Sequence, residues 1–255
     1  MSDIITARIT MADGVQLAVH ETGPVDGTPI ILLHGLFSNA VTNWMKYGHA
    51  GKLAKAGHRV IMPEFRAHGK SDAPQDPAAY PIDILAQDIL HLVDILAQDD
   101  FDLAGFSLGA RTAAKLLTMG LRPRRLVLSG MGWEGIQGWG NRRQFFIDAI
   151  DKRDSVKRGD PHFFAVAFMK TQGIDPIAAR LLLNSFGDMD VEALTEINMP
   201  TMILCGKDDQ DNGSAPLLAQ NLMQAHYVEI PGTHMSSVTE GALGDALVQF
   251  FGSGH

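Results

Sequence analysis

The feature that most constrains this chain is a five-residue stretch, Gly105-Phe106-Ser107-Leu108-Gly109. It lies between an apolar run at 101–104 and the helix-compatible Ala110-Arg111-Thr112-Ala113-Ala114. A strand that turns into a helix within two residues leaves no room for side chains beside the turn, and glycines supply that room. The residue at the apex is then held in a strained backbone conformation with its hydroxyl standing above the sheet. Taken alone, the five residues also read as a Gly-Ser loop without chemistry; the strand before and the helix after favour a nucleophile.

Five further short runs rich in Ile, Leu and Val lie at 29–33, 58–62, 125–129, 201–205 and 227–230. Such a density of Ile, Leu and Val over so few residues is the pattern of strands covered on both faces, as in a parallel sheet. Ahead of them, the stretches 4–10 and 15–21 flank Ala12-Asp13-Gly14, a turn signal that predicts an antiparallel hairpin. Between the runs, Ile82, Leu85, Ile89, Leu92, Val93 and Leu96 recur at helical spacing, as do Leu243, Ala246, Leu247, Phe250 and Phe251. The alternation predicts an α/β fold: a mostly parallel eight-stranded sheet flanked by helices. Over 133–197 no strand pattern occurs, and this stretch reads as a helical insertion after the sixth strand. The expected organisation is a core of residues 1–132 and 198–255 with a helical cap or lid, 133–197, inserted in the same domain.

Length and composition narrow the function classes. A chain of 255 residues, 45% hydrophobic, buries roughly 70–75% of its unfolded surface and needs no disulfide or structural metal. With a net charge of −8 and scattered basic residues, a nucleic-acid partner is not expected; Arg122, Arg124 and Arg125 read as a solvated loop. The longest apolar run, 163–169, is far short of the ~20 residues that span a bilayer, so no membrane partner is expected. The first residues, with Asp3 and Asp13, lack the basic-then-apolar pattern of a secretory signal. The single cysteine, Cys205, permits a reducing compartment, and a cytoplasmic location is expected. The histidines lack paired metal-ligand spacing and no H-E-x-x-H occurs, so neither metal nor other cofactor is expected. The expected partner is a small-molecule substrate, with oligomeric state left open.

A serine hydroxyl needs a base, and the base needs an orienting acid, because a free hydroxyl is a poor nucleophile near neutral pH. The run at 201–205 continues into Gly206-Lys207-Asp208-Asp209, and that at 227–230 into Pro231-Gly232-Thr233-His234. Serine, acid and histidine therefore all fall just past the carboxyl ends of predicted parallel strands, the edge where open α/β sheets place their sites.

With these motifs the chain resembles the α/β-hydrolase fold family over essentially its whole length. The resemblance implies Ser107 as nucleophile at its nucleophile elbow and His234 as base. It implies Asp209 as acid, three residues after the glycine that ends its strand, while Asp208 stays open as the alternative. Leu32-Leu33-His34-Gly35-Leu36-Phe37 resembles the family's oxyanion loop and implies Leu36 and Leu108 as the two backbone donors of an oxyanion hole. Losing one such donor typically costs ~10²–10³ in rate. His34 reads as a structural brace of that loop. The stretch from Met62 to Ser71 resembles the family's D-x-R-G-x-G-x-S segment, with Arg66, His68 and Ser71 as bracing residues. Glu64 stands there in place of Asp and Ala67 in place of Gly, which predicts a differently shaped turn. His20, His49, His58, His91, His162, His226 and His255 read as surface or packing residues.

The function implied is that of a serine esterase, with a catalytic triad cleaving a carboxylic ester, lactone or thioester of a small apolar substrate through an acyl-enzyme. A carboxylesterase is the plainest case. Family members resembling dehalogenases and epoxide hydrolases would carry aspartate at Ser107, and a dienelactone-type enzyme cysteine. Carbon–carbon hydrolysis of ring-cleavage products and cofactor-free perhydrolysis remain open, as does a non-catalytic ligand-binding protein of the same fold. Candidates for the substrate pocket are Phe37, Trp44, Trp133, Trp139, Phe145, Phe164 and Met235; for most, packing of lid onto core is the competing reading, and for Trp44 core packing. Arg142 and Arg143 are candidates for a substrate carboxylate, against a solvated role on the lid.

Overall fold

The computed structural model describes residues 4–96 and 100–252. His255 and Asp3, both considered above, lie outside the described residues. The strands are β1 (Ile5–Thr10), β2 (Gln16–Thr22), β3 (Thr28–Leu33), β4 (His58–Pro63), β5 (Asp102–Phe106), β6 (Leu126–Ser129), β7 (Thr201–Gly206) and β8 (Ala225–Ile230). They form one eight-stranded sheet in the order β1-β2-β4-β3-β5-β6-β7-β8. β1 pairs antiparallel with β2 and β2 with β4, and every later pairing is parallel. The predicted hairpin and the predicted parallel sheet are both present.

The helices are α1 (His49–Lys55), α2 (Ile84–Leu96), α3 (Leu108–Thr118), α4 (Trp133–Gln137), α5 (Gly140–Asp151), α6 (Phe163–Thr171), α7 (Pro176–Asn184), α8 (Val191–Thr195), α9 (Ala215–Gln220) and α10 (Gly241–Gly252). Strand side chains alternate between two cores. Ile31, Leu33, Ile61, Leu103, Leu128 and Ile203 point to the face covered by α2 and α3. Ile30, Leu32, Val60, Met62, Val127 and Leu204 point to the face covered by α1 and α10. Because both faces are covered, the inner positions of these strands are mostly apolar; β8, at the sheet edge, is covered less than the 227–230 run suggests, with Ile230 buried and Glu229 exposed.

Two sequence expectations need correction. Ile82 does not belong to the buried face of α2: it precedes the helix and is exposed. Asp83 intervenes with φ of +59°, and its carboxylate accepts from the Gly187 amide, so the chain turns there before becoming helical. Trp44 is a core residue. It lies on a π-helical turn, Val41–Met45, fully buried with Leu53, Met62 and Leu243 on the α1/α10 side of the sheet.

Between β6 and β7 the described residues contain α4 to α8 and no strand. Helices α5, α6 and α7 supply Ile147, Ile150, Met169, Ala179 and Leu183 to a third apolar cluster with Trp139 and Phe37. Through Phe37 this cluster adjoins the loop after β3. Asp175 starts α7 by accepting from the Ile177 and Ala178 amides, with Pro176 at the first helical position, a strong initiation signal. No helix among the described residues is long and apolar enough to cross a membrane.

Candidate active site

At the end of β5, Ser107 has φ of 54° and ψ of −112° and directly precedes α3. A non-glycine residue rarely sits at positive φ, and its persistence means that the surroundings over-determine it. The Ser107 amide donates to the Ser129 carbonyl on β6 at 2.8 Å. A Cβ on Gly105 would stand 2.2 Å from the Gly109 carbonyl, and one on Gly109 would stand 2.2 Å from the Leu33 carbonyl. Both glycines are needed for close backbone approach across the turn.

Two loops bring the acid and the histidine to this serine. After β7, the Asp208 amide donates to the Gly232 carbonyl and the Asp209 amide to the Gly206 carbonyl, both at 3.0 Å. A Cβ on Gly206 would stand 2.2 Å from the Gly232 oxygen, so the β7 and β8 loops touch backbone to backbone. The turn leaves Asp208 exposed and Asp209 facing inward. His234 Nδ1 lies 2.9 Å from Asp209 Oδ2, and its Nε2 lies 3.0 Å from Ser107 Oγ. The imidazole packs on the Phe106 ring, 5.0 Å between centroids.

With Asp209 ionised, Nδ1 must carry a proton to donate to it, which leaves Nε2 as the acceptor of the serine hydroxyl. Burial works to raise the Asp209 pKa. The His234 hydrogen bond and charge, the Asp211 amide and the Arg142 guanidinium outweigh it and hold the carboxyl below its ordinary value. Carboxylate, imidazole and hydroxyl thus form one continuous hydrogen-bonded chain that ends at Ser107 Oγ. Cys205, beside it, has its thiol pushed up to about 12 by burial and then by the Asp209 charge, which makes it inert as a nucleophile.

The loop after β3 runs next to the serine: a Cβ on Gly35 would lie 3.5 Å from Ser107 Cβ. Gly35 N–H donates to Asn43 Oδ1 at 2.9 Å, and Phe37 N–H donates to His68 Nε2 at 2.9 Å. Between them the Leu36 amide has no protein acceptor among the described residues, nor has the Leu108 amide at the first turn of α3. Free donors at a helix start, where the backbone dipoles favour negative charge, are suited to an oxyanion.

Two neutral histidines hold this loop. His34 Nδ1 donates to the Gly35 carbonyl at 2.8 Å and Nε2 accepts from the Phe65 amide at 3.0 Å. His68 Nδ1 donates to the Arg66 carbonyl at 3.0 Å. Burial lowers their pKa values to about 4 and about 3. Arg66, itself fully buried, is clamped on Asp88 by two bonds of 2.7 and 2.6 Å. Ser71 accepts from the Ala18 amide and donates to the Glu64 carbonyl. The departures at Glu64 and Ala67 are accommodated: Ala67 keeps φ at +64°, and the longer Glu64 carboxylate accepts from the Ala40 and Lys70 amides.

The proposed pocket residues scatter. Phe37 and Trp139 are buried in the cluster that joins α5, α6 and α7 to the loop after β3, whereas Trp133 packs against the sheet core. Phe145 rests on Phe146 and His162. Phe164 is 83% exposed and Met235 55% exposed, so neither is enclosed by the fold. Trp44 lies in the core described above. Among the other histidines, His20, His49 and His58 are buried, His162 stacks near Phe145 and His226 near Phe250. Asn43 and Arg111 escaped the sequence reading. Arg111 shares the Leu108–Thr118 helix with a second basic residue, Lys115, so composition does not single it out, and nothing local marks Asn43.

A sequence profile described as the alpha/beta hydrolase fold matches residues 28–130. AB hydrolase superfamily protein YisY of Bacillus subtilis is 33% identical, over 79% of this chain and 81% of that protein. 3-Oxoadipate enol-lactonase 1 of Acinetobacter baylyi is 25% identical over 94% of each chain. Among solved structures, an esterase from Exiguobacterium antarcticum superposes with a TM-score of 0.78 at 21% identity, covering 98% of this chain and all of that one.

Proposed function

Because the chain belongs to the α/β-hydrolase superfamily and is a hydrolase, we propose that it cleaves a carboxylic ester, lactone or thioester by acyl transfer through Ser107. The observation that carries this reading is the continuous relay from Asp209 through His234 to Ser107, with both hydrogen bonds at 3.0 Å or less. His234 Nε2 takes the proton from Ser107 Oγ as the oxygen attacks the substrate carbonyl carbon. The carbonyl oxygen becomes an oxyanion between the Leu36 and Leu108 amides. As the intermediate collapses, His234 returns the proton to the leaving oxygen or sulfur, leaving the acyl group on Ser107. Water then repeats the sequence, giving up a proton to His234, and Ser107 leaves with that proton as the acid is released.

Asp209 stays ionised throughout and stabilises the imidazolium that forms in each half. Preorganised amides need no reorientation as charge develops, which is the largest saving such a site offers. Helices α5 to α7 act as the lid, with Phe37 joining lid and oxyanion loop. Among the relatives, one matching nearly the full length is named a lactonase, a name that fits cleavage of a carbonyl–oxygen bond. The one cysteine, buried and unpaired, suits a reducing cytoplasmic setting.

The test is labelling with a fluorophosphonate probe, peptide mapping, and turnover of p-nitrophenyl esters of increasing acyl length. Modification of Ser107 together with ester turnover supports the reading. Folded protein that neither labels nor turns over any ester would end it.

A further inference from the structure

Buried hydrogen-bond donors without acceptors are rare in folded proteins, and three of them meet beside the relay. Arg111 is 4% exposed. Its Nη2 donates to the Gly187 carbonyl at 3.0 Å, but its buried Nε has no acceptor. Its guanidinium lies 5.6 Å from the Trp139 ring, and that of Arg142 lies 5.9 Å from the same ring. Arg142 donates from Nη1 to the Asp211 carbonyl, but its Nε, like the Trp139 Nε1, is buried without an acceptor.

All three groups can only donate, so they cannot satisfy one another. Two of them carry positive charge, and no ion pair reaches either arginine among the described residues. Asp83, whose carboxylate accepts from the Gly187 amide, is taken by Lys115 at 2.8 Å. Burial lowers both guanidinium pKa values, and Asp83 and Asp188 on one side, and Asp211 and Asp209 on the other, only partly oppose it. A cation removed from water with its donors unpaired is costly unless something completes it.

The position says what completes it. Arg111 lies in the first turn of α3, and its amide donates to the Ser107 carbonyl at 3.0 Å, so its backbone stands one helical turn from the serine. Arg142 lies close enough to Asp209 to lower its pKa. Bracing of residues 187–188 does not demand Arg111, since Lys115 already binds both Asp83 and the Asp188 carbonyl.

We propose that Arg111, Arg142 and Trp139 form a subsite for a carboxylate carried by the acyl part of the substrate. This deepens the acyl-transfer reading and rests on it for the position of the scissile bond. The two backbones stand about one helical turn, roughly 6 Å, apart, which places the carboxylate a short chain away from the scissile carbonyl. The substrate class is a monoester, thioester or lactone of a short dicarboxylic acid, and the released product is the dicarboxylate.

Calorimetric titration of the full chain and of Ser107→Ala with glutarate, and with uncharged glutaramide as the control, tests the subsite without turnover. Glutarate is expected to bind about 10- to 100-fold more tightly, as charge-assisted hydrogen bonds to a buried guanidinium allow. Arg111→Met is expected to abolish that preference and Arg111→Lys to restore part of it. Equal binding of the two compounds by the unmodified protein overturns the proposal, and this comparison needs no variant to fold.

In turnover, the ratio of kcat/KM for mono-p-nitrophenyl glutarate over p-nitrophenyl butyrate should fall by about 10- to 100-fold in Arg111→Met. An equal fall for both esters would make Arg111 a strut of the lid and overturn the subsite. If no ester turns over and Ser107 resists labelling while glutarate is still preferred, the acyl-transfer reading fails and the subsite stands. If esters turn over with no preference for the charged one, the subsite fails and the acyl-transfer reading stands.

Discussion

Acid should loosen the loop after β3 before it neutralises the Asp209 carboxylate. His34 and His68 are neutral in the folded protein, with pKa values lowered by burial from 6.5 to about 4 and about 3. In the unfolded chain both titrate near 6.5, so between that value and the folded one the unfolded state binds more protons. Stability therefore falls as pH falls through this window, and it is fully present only above about pH 6.5. At pH 5, roughly 1.5 units below the ordinary value, each histidine withdraws about 2 kcal/mol. Together that is a large part of a typical net stability of about 5–15 kcal/mol. Protonation also removes the Nε2 acceptors for the Phe65 and Phe37 amides, so the same event frees the loop that carries Leu36. The assay is denaturant unfolding at pH 7.5 and pH 5.0 for the wild type, His34→Gln and His68→Gln. Burial lowers the His49 and His58 pKa values too, but they contribute equally in all three proteins. Each variant is expected to be less stable at pH 7.5 and to lose about 2 kcal/mol less than the wild type on going to pH 5.0. Parallel losses in wild type and variants would refute the assignment of these two histidines as buried and neutral.

Ser107→Ala and His234→Ala should each reduce ester turnover by ~10⁴–10⁶, because members of such a relay act as a unit; near-wild-type rates in either would remove the relay from the mechanism. Asp209→Asn should be far more damaging than Asp208→Asn, since only Asp209 meets His234; steady-state kinetics giving the reverse order would move the acid to Asp208. Gly109→Ala places a Cβ 2.2 Å from the Leu33 carbonyl and should destabilise by more than the ~1–3 kcal/mol of ordinary overpacking, because backbone is what must move. A melting temperature close to the wild type would contradict that approach.

The strands were legible because burial on both faces writes itself into consecutive residues: Ile30 and Leu32 answer to one core, Ile31 and Leu33 to the other. The elbow was legible because its demands are local, two glycines and a serine within five residues. The candidate relay could be read as far as its residue types and order, since each member follows the end of a strand. Helix faces in the insertion were harder: α5 mixes charged, aromatic and apolar side chains, and it carries both exposed Phe145 and buried Ile147.

By itself, then, the sequence determined the sheet, the insertion between β6 and β7, and the three candidate residue types, because short-range periodicity and turn chemistry carry that information. Which of two adjacent aspartates turns inward was decided by contact between the Gly206 and Gly232 backbones, which belong to loops 26 residues apart in order along the chain. That Trp44 fills the core, that Asn43 and His68 tie down the amides on either side of Leu36, and that Arg111 and Arg142 meet at Trp139 were likewise decided only in three dimensions. Those outcomes depend on which distant surfaces touch, and no local rule in the chain encodes that.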